Sequence, residues 1–302
     1  FTLIDQQGHT LVLRPDMTAP IARVAASKLL KSRIPVRLAY AANVYRAQQN
    51  EGGRPAEFEQ VGIECIGHST VSGDAESIAL LVSVLRIAGL ENFKISVGHI
   101  GYIQQLFMDV LHNEEQAEQC LKFLYEKNYV GYREHVKKLA LSDAQEQRLL
   151  KLLSLRGLEE IFMEGRMLLE NEAGLQAISE LEELHRQLKD FGVYEYVNFD
   201  LSLVCHMSYY TGLLFEVYAN GVGAPIGSGG RYDNLLSKFN YKAPATGFAV
   251  STDRLLEALG NLVAEKDSYC ILFSEEQRQD AIKAAAKMRA EGKVVILQDI
   301  NG

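Results

Sequence analysis

The chain has 302 residues, 47% hydrophobic and 23% charged, enough for a core that needs neither disulfides nor a metal. Its net charge of −8 argues against a broad phosphate-binding face, since nucleic-acid binders display basic surfaces, but leaves room for a local basic groove. Four scattered cysteines without a Cys-x-x-Cys pair, no signal-peptide pattern and no apolar run of membrane-spanning length point to reduced thiols in a cytoplasmic protein.

Residues 2–4 and 10–13 flank a turn at Gln6-Gln7-Gly8, the pattern of a β-hairpin. Residues 18–30 have helical spacing, with Ile21, Val24, Ala25 and Leu29 on one stripe. Residues 35–40 and 44–46 read as strands, followed by the loop Gly52-Gly53-Arg54-Pro55 and a further strand at 58–66; the pair makes an antiparallel hairpin. Asp74 is placed to cap a helix over 75–88 that Gly89 stops, and 94–99 is strand-like. Strand runs with peripheral helices and no strict β-α-β alternation predict an α+β fold with an antiparallel core.

From about Ile103 to Lys189 the chain is rich in Leu, Glu, Gln and Lys, with candidate helices at 114–127, 131–139, 143–153, 158–169 and 173–189. Strand patterning returns at 196–204, 212–219 and 247–250, with a helix at 253–263. After the charged break Glu265-Lys266-Asp267, residues 269–273, 275–291 and 293–298 form a β-α-β unit. The expected organisation is a core in two parts (1–102 and 196–264), a helical insertion at 103–195 and the start of an α/β domain at 265–302. Both ends read as interrupted, with a hairpin beginning at Phe1, so a piece of a longer protein is expected.

Several separated segments carry the chemistry. Gln60, Gly62 and Glu64 in Phe58-Glu59-Gln60-Val61-Gly62-Ile63-Glu64 share one strand face, because side chains alternate with period two. Leu13-Arg14-Pro15-Asp16-Met17-Thr18 pairs an acid with a threonine, and Val44-Tyr45-Arg46-Ala47-Gln48 presents an arginine whose fork suits phosphate or carboxylate. Gly227-Ser228-Gly229-Gly230-Arg231-Tyr232-Asp233 allows close backbone approach. Read locally, these are also compatible with a solvent-facing acid, an N-cap threonine, outward polar strand residues, surface ion pairs and a hairpin turn. His9, His99, His112, His135 and His185 read as surface or core residues, and His206 beside Cys205 does not by adjacency make a nucleophile pair.

In this order, the segments resemble class II histidyl-tRNA synthetases over roughly residues 1–110 and 197–263. The resemblance implies that Asp16 receives the ammonium of histidine, that Thr18 orients it, that Gln60 meets the substrate backbone and that Glu64 accepts from the imidazole. A buried acid facing imidazole favours a proton on the ring nitrogen. Tyr209 and Tyr210, in Ser208-Tyr209-Tyr210-Thr211-Gly212, fall on the tyrosine pair that shapes the pocket. Arg46 matches the motif 2 arginine and Arg254 the motif 3 arginine, both nucleotide contacts in the family. The chain departs from the family where Asp16 replaces a glutamate with a shorter reach, where Gln48 replaces the motif 2 glutamate, and where Cys205 stands in place of an arginine. A fixed cation at developing phosphate charge is worth about 3–4 kcal/mol, and a short neutral thiol does not supply it.

These departures make the chain similar to the synthetase paralogue that serves as regulatory subunit of ATP phosphoribosyltransferase. That resemblance implies a non-catalytic subunit without cofactor or metal. It further implies L-histidine held by Asp16, Thr18, Gln60, Glu64, Tyr209 and Tyr210, and residual phosphate or nucleotide contacts at Arg46 and Arg254. The implied partner is a short-form catalytic subunit, bound by a homodimer within a hetero-oligomer. Two alternatives stay open: an active synthetase with a substitute cation, for which Arg231 is nearest in sequence, and a tRNA-sensing module, disfavoured by the acidic balance.

Overall fold

The computed structural model describes residues 1–29, 35–47, 55–205, 209–260 and 268–300; Gln48, Gly52-Gly53-Arg54, His206 and Glu265-Lys266-Asp267 lie outside them. The first hairpin forms as its turn predicts, β1 (Thr2–Ile4) pairing antiparallel with β2 (Thr10–Val12). Helix α1 (Thr18–Val24) starts where Asp16 Oδ1 accepts the Thr18 N–H at 3.0 Å. Pro20 lies in the first turn, where a helix needs no N–H donor. The acid, not Thr18, therefore serves the helix start.

Strand β3 (Val36–Tyr45) is continuous, although its sequence reads as two pieces. Ala41-Ala42-Asn43 has weak strand propensity, but unbroken pairing with β4 (Glu57–Ile66), from Val36 opposite Ile66 to Tyr45 opposite Glu57, overrides it. Helix α2 (Val71–Ile87) begins before Asp74, which is buried inside it rather than capping it. Its apolar face (Ala75, Ile78, Leu81, Val82, Leu85) is fully buried.

Strand β5 (Phe93–His99) runs directly into α3 (Ile100–Leu111), a helix with no candidate in the sequence reading. No side chain caps its start, and its Ile, Tyr, Phe and Val content resembles strand; burial of Tyr102, Ile103, Leu106, Phe107 and Val110 decides the matter. The following helices match their caps: α4 (Glu114–Tyr125), α5 (Tyr129–Lys138) and α6 (Asp143–Leu152) start at Asn113, Asn128 and Ser142, the last with a reciprocal box to Gln145. Then come the short β6 (Arg156–Gly157), α7 (Glu160–Met167) and α8 (Glu172–Asp190), capped by Asn171.

The chain then returns through β7 (Val197–Asp200), β8 (Leu213–Ala219), β9 (Gly227–Arg231), β10 (Ala245–Ser251) and α9 (Thr252–Leu259). The glycine-rich stretch is thus a central strand and not a turn. Eight strands make one sheet in the order β3-β4-β10-β9-β8-β5-β7-β6, antiparallel throughout except where β5 runs parallel to β7. A parallel pair needs a long crossover, and the helices α3 to α8 lie in that crossover. The predicted α+β class with a largely antiparallel core is the observed one.

Contacts divide the chain into Phe1–Ala258 and Leu259–Gly302. In the second unit, β11 (Ser268–Phe273) and β12 (Val294–Asp299) pair in parallel, joined by α10 (Arg278–Ala290), whose Ala281 and Ala285 are buried. No described helix is long and apolar enough to cross a membrane.

Candidate functional site

Strand register places one row of residues across the sheet: Tyr40, Gly62, Ala249, Ser228 and Glu216 face one another in turn. Gln60 and Glu64 flank Gly62 on the same face of β4. Glycine keeps this floor clear. A Cβ on Gly62 would come within 2.5 Å of the Tyr40 hydroxyl, and one on Gly247 would run into the Glu64 carboxyl.

Above this floor lies a small cleft, open on one side to solvent. It is lined by Asp16, Thr18, Arg46, Gln60, Glu64, Tyr209, Tyr210, Ser228, Tyr232, Gly247, Phe248 and Ala249. All six sequence-predicted binding residues therefore meet here, together with Arg46. Arg254 does not line the cleft; its Nη1 donates to the Pro225 carbonyl at 2.5 Å.

The polar groups differ in state. Burial pushes the Glu64 carboxyl up to about 8, and the nearby Asp16 charge adds to this, against hydrogen bonds from Tyr232 and Thr18 that pull it down. Glu64 therefore holds its proton to higher pH than an ordinary carboxyl. Burial also raises Tyr40, Tyr209, Tyr210 and Tyr232, so their hydroxyls stay protonated. The Tyr209 ring packs edge-on against Tyr210 and Tyr232, with centroids 5.1 and 5.7 Å apart. Gln60 is buried, and its Oε1 has no hydrogen-bond partner among the described residues. Arg46 Nε donates to the Pro15 carbonyl at 2.9 Å, and its guanidinium lies 5.3 Å from the Phe58 ring centre.

Cys205 introduces no charge. Burial and the neighbouring Glu216 carboxylate raise its thiol well above the usual range, with Lys127 opposing. The buried Glu216 takes its counter-charge from the helical crossover: Lys127 Nζ donates to Glu216 Oε2 at 2.8 Å and also to the Tyr218 hydroxyl. Lys127 follows α4 at φ 54°, in the left-handed position that ends many helices, with Asn128 N–H on the Phe123 carbonyl and Lys127 N–H on that of Leu124. Glycine is the usual residue there, so a lysine accepts a backbone cost of about 1–2 kcal/mol.

Arg231, the other candidate cation, has no donor left. Its Nε and Nη2 bond Asp74 Oδ2 at 3.0 and 2.6 Å, Nη2 also bonds the Thr70 carbonyl at 2.8 Å, and Nη1 bonds the His68 carbonyl and Asp233 at 3.0 and 3.2 Å. A guanidinium has five N–H groups, and all five are used. A separate cluster, Cys65, His68 and Glu76, brings three potential ligand atoms within 4.8 Å of one another. There Arg37 donates to both Glu76 oxygens at 2.6 and 2.7 Å, so a guanidinium already occupies the cation's place.

Sequence reasoning gave no role to Tyr232, Ser228, Lys127 or Glu216, and gave Asp74 only that of a helix cap. Tyr232 lies in a motif it had singled out; for Lys127 no local signal exists.

Comparison with known proteins places the chain in a family. A family model described as histidyl-tRNA synthetase matches residues 1–255, and one described as the C-terminal domain of histidyl-tRNA synthetase HisZ matches 270–302. An ATP phosphoribosyltransferase regulatory subunit of Geobacillus sp. (strain WCH70) is 58% identical over 302 residues, covering 100% of this chain and 77% of the relative. That of Bacillus subtilis (strain 168) is 56% identical with the same coverages. The crystal structure of an ATP phosphoribosyltransferase regulatory subunit/histidyl-tRNA synthetase from Bacillus halodurans superposes with a TM-score of 0.85 at 56% identity, over 100% of this chain and 78% of that one. A histidyl-tRNA synthetase from Nostoc sp. PCC 7120 shares the fold, with a TM-score of 0.77 at 21% identity over 99% of this chain and 72% of that one. At 56–58% identity along its whole length to these relatives, the chain belongs to the ATP phosphoribosyltransferase regulatory subunits, which are built on the histidyl-tRNA synthetase fold.

Proposed function

We propose that the cleft binds free L-histidine and that its occupancy tunes a separate, short-form catalytic subunit, while this chain performs no activation chemistry of its own. The observation that carries the reading is the convergence of Asp16, Thr18, Gln60, Glu64, Tyr209 and Tyr210 on one small polar cleft. Asp16 takes the ammonium, and Gln60 Oε1, without a partner among the described residues, accepts a further N–H from the bound amino acid. Glu64 meets the imidazole between the tyrosine rings. Arg46 offers its guanidinium to a carboxylate or phosphate, whereas Arg254 stands outside the cleft.

The cation inventory supports binding without adenylation. Cys205 is neutral, Lys127 is paired with Glu216, and Arg231 is fully engaged. The regulatory subunits among the relatives support a catalytic partner. We infer a cytoplasmic homodimer within a hetero-oligomer, in which histidine shifts the partner by a coupling of about 1–3 kcal/mol.

The raised Glu64 carboxyl gives the test. An imidazole N–H donates best to the ionised form, so a proton leaves Glu64 on binding at pH values below about 8. Histidine affinity, measured calorimetrically, is expected to rise between pH 6.5 and 8, by up to about tenfold per unit, and to level above. Glu64→Gln should bind more weakly and lose the slope. A slope that survives in Glu64→Gln would remove Glu64 from the site, and absence of histidine binding altogether would overturn the reading.

A further inference from the structure

We infer that Tyr232 is the positioning residue that fixes the Glu64 carboxyl for imidazole, and so sets the selectivity of the cleft for a ring bearing an N–H. This rests on the histidine reading above and names the selectivity element within it.

Glu64 is wedged on one side. The Tyr232 hydroxyl donates to its Oε2, and that same oxygen lies where any side chain at Gly247 would sit. A carboxyl gripped at Oε2 presents its other oxygen in a single orientation, and orientation is what separates a selective hydrogen bond from a merely polar wall.

Tyr232 is itself held rigidly, at 2% exposure. Its N–H donates to the Ala245 carbonyl at 2.8 Å, and the residues on either side are tied down. Arg231 is locked to Asp74 and to the loop before α2. Asp233 accepts the Ala245 N–H at 3.0 Å, and its own N–H donates to Thr211 Oγ1 at 3.0 Å. These bonds join β9, β10, the start of α2 and the segment before β8, so the hydroxyl at 232 is aimed by the fold and not by the ligand.

Around Glu64, the ionisable groups are Tyr232, Asp16, Tyr40, Tyr209, Tyr210 and Arg46. Of these, the Tyr232 hydroxyl bonds the carboxyl directly and favours its ionised form, with a smaller contribution of the same sign from the Thr18 hydroxyl, while the Asp16 charge disfavours it. Removing the hydroxyl therefore has a sign that a loss of packing would not reproduce: the carboxyl holds its proton to higher pH.

The test is calorimetric titration with L-histidine from pH 6 to 9.5 for the wild type, Tyr232→Phe, Glu64→Gln and the double variant. Tyr232→Phe is expected to weaken histidine about tenfold or more at pH 7 and to move the midpoint of the pH profile upward. In the Glu64→Gln background the same change should move neither quantity by much, because the group it acts through is gone. β-(2-Thienyl)alanine, which has a ring of the same size without an N–H, should gain on histidine in Tyr232→Phe. An unmoved midpoint, or equal losses in both backgrounds, would overturn the inference while leaving histidine binding intact. A wild type that binds no histidine would overturn the underlying reading as well.

Discussion

Arg231→Met is expected to destabilise the protein by about 3–5 kcal/mol, lowering the thermal midpoint on the order of 10 °C. The reason is what it leaves behind. Asp74 is almost wholly buried in α2, and burial raises its pKa even with the guanidinium beside it. Without Arg231 the carboxylate loses both of its Arg231 bonds, and the His68 and Thr70 carbonyls lose theirs. Because the loss lies in the orphaned acid rather than in the missing cation, Asp74→Leu combined with Arg231→Met should recover most of it. Thermal and urea unfolding of the two single variants and the double variant check this. A single variant within about 1 kcal/mol of wild type would show that the pair is not a keystone of the fold.

Asp16→Asn is expected to weaken histidine by about 30- to 150-fold, the loss of about 2–3 kcal/mol that follows removal of one partner from a desolvated charge pair. The substitution is selective. An asparagine oxygen can still accept the Thr18 N–H that starts α1, so the helix is kept and only the charge is removed. Unchanged thermal stability with a collapse in calorimetric affinity is the predicted pair of results. Equal affinity in both proteins would take the ammonium away from Asp16.

The sequence made parts of this molecule readable and hid others for definable reasons. Helices α4, α5, α6 and α8 announce themselves through composition and helical spacing, and the structure adds the caps Asn113, Asn128, Ser142 and Asn171, local chemistry that agrees with them. Helix α3 has no such signal, and its composition favours strand; only tertiary burial makes it a helix. The shared face of Gln60 and Glu64 follows from the period of a strand. Their meeting with Asp16, Arg46 and Tyr209 rests on strand order, which periodicity does not encode; in the sequence, only the family resemblance links those residues.

What stayed hidden is long-range charge pairing. Arg231 and Asp74 are 157 residues apart, and Lys127 and Glu216 are 89 apart. Cys205 was legible as a missing cation. That Lys127 answers the charge of Glu216 from the helical crossover was not, since nothing local distinguishes that lysine from a solvated one.

The most direct measurement of the central claim is phosphoribosyl transfer by the short catalytic subunit, alone and mixed with this protein, with and without L-histidine. Activity that appears only in the mixture and falls as histidine is added, with the histidine response but not the activation lost in Asp16→Asn, is the predicted result. A catalytic subunit equally active alone, or a mixture indifferent to histidine, would contradict the account.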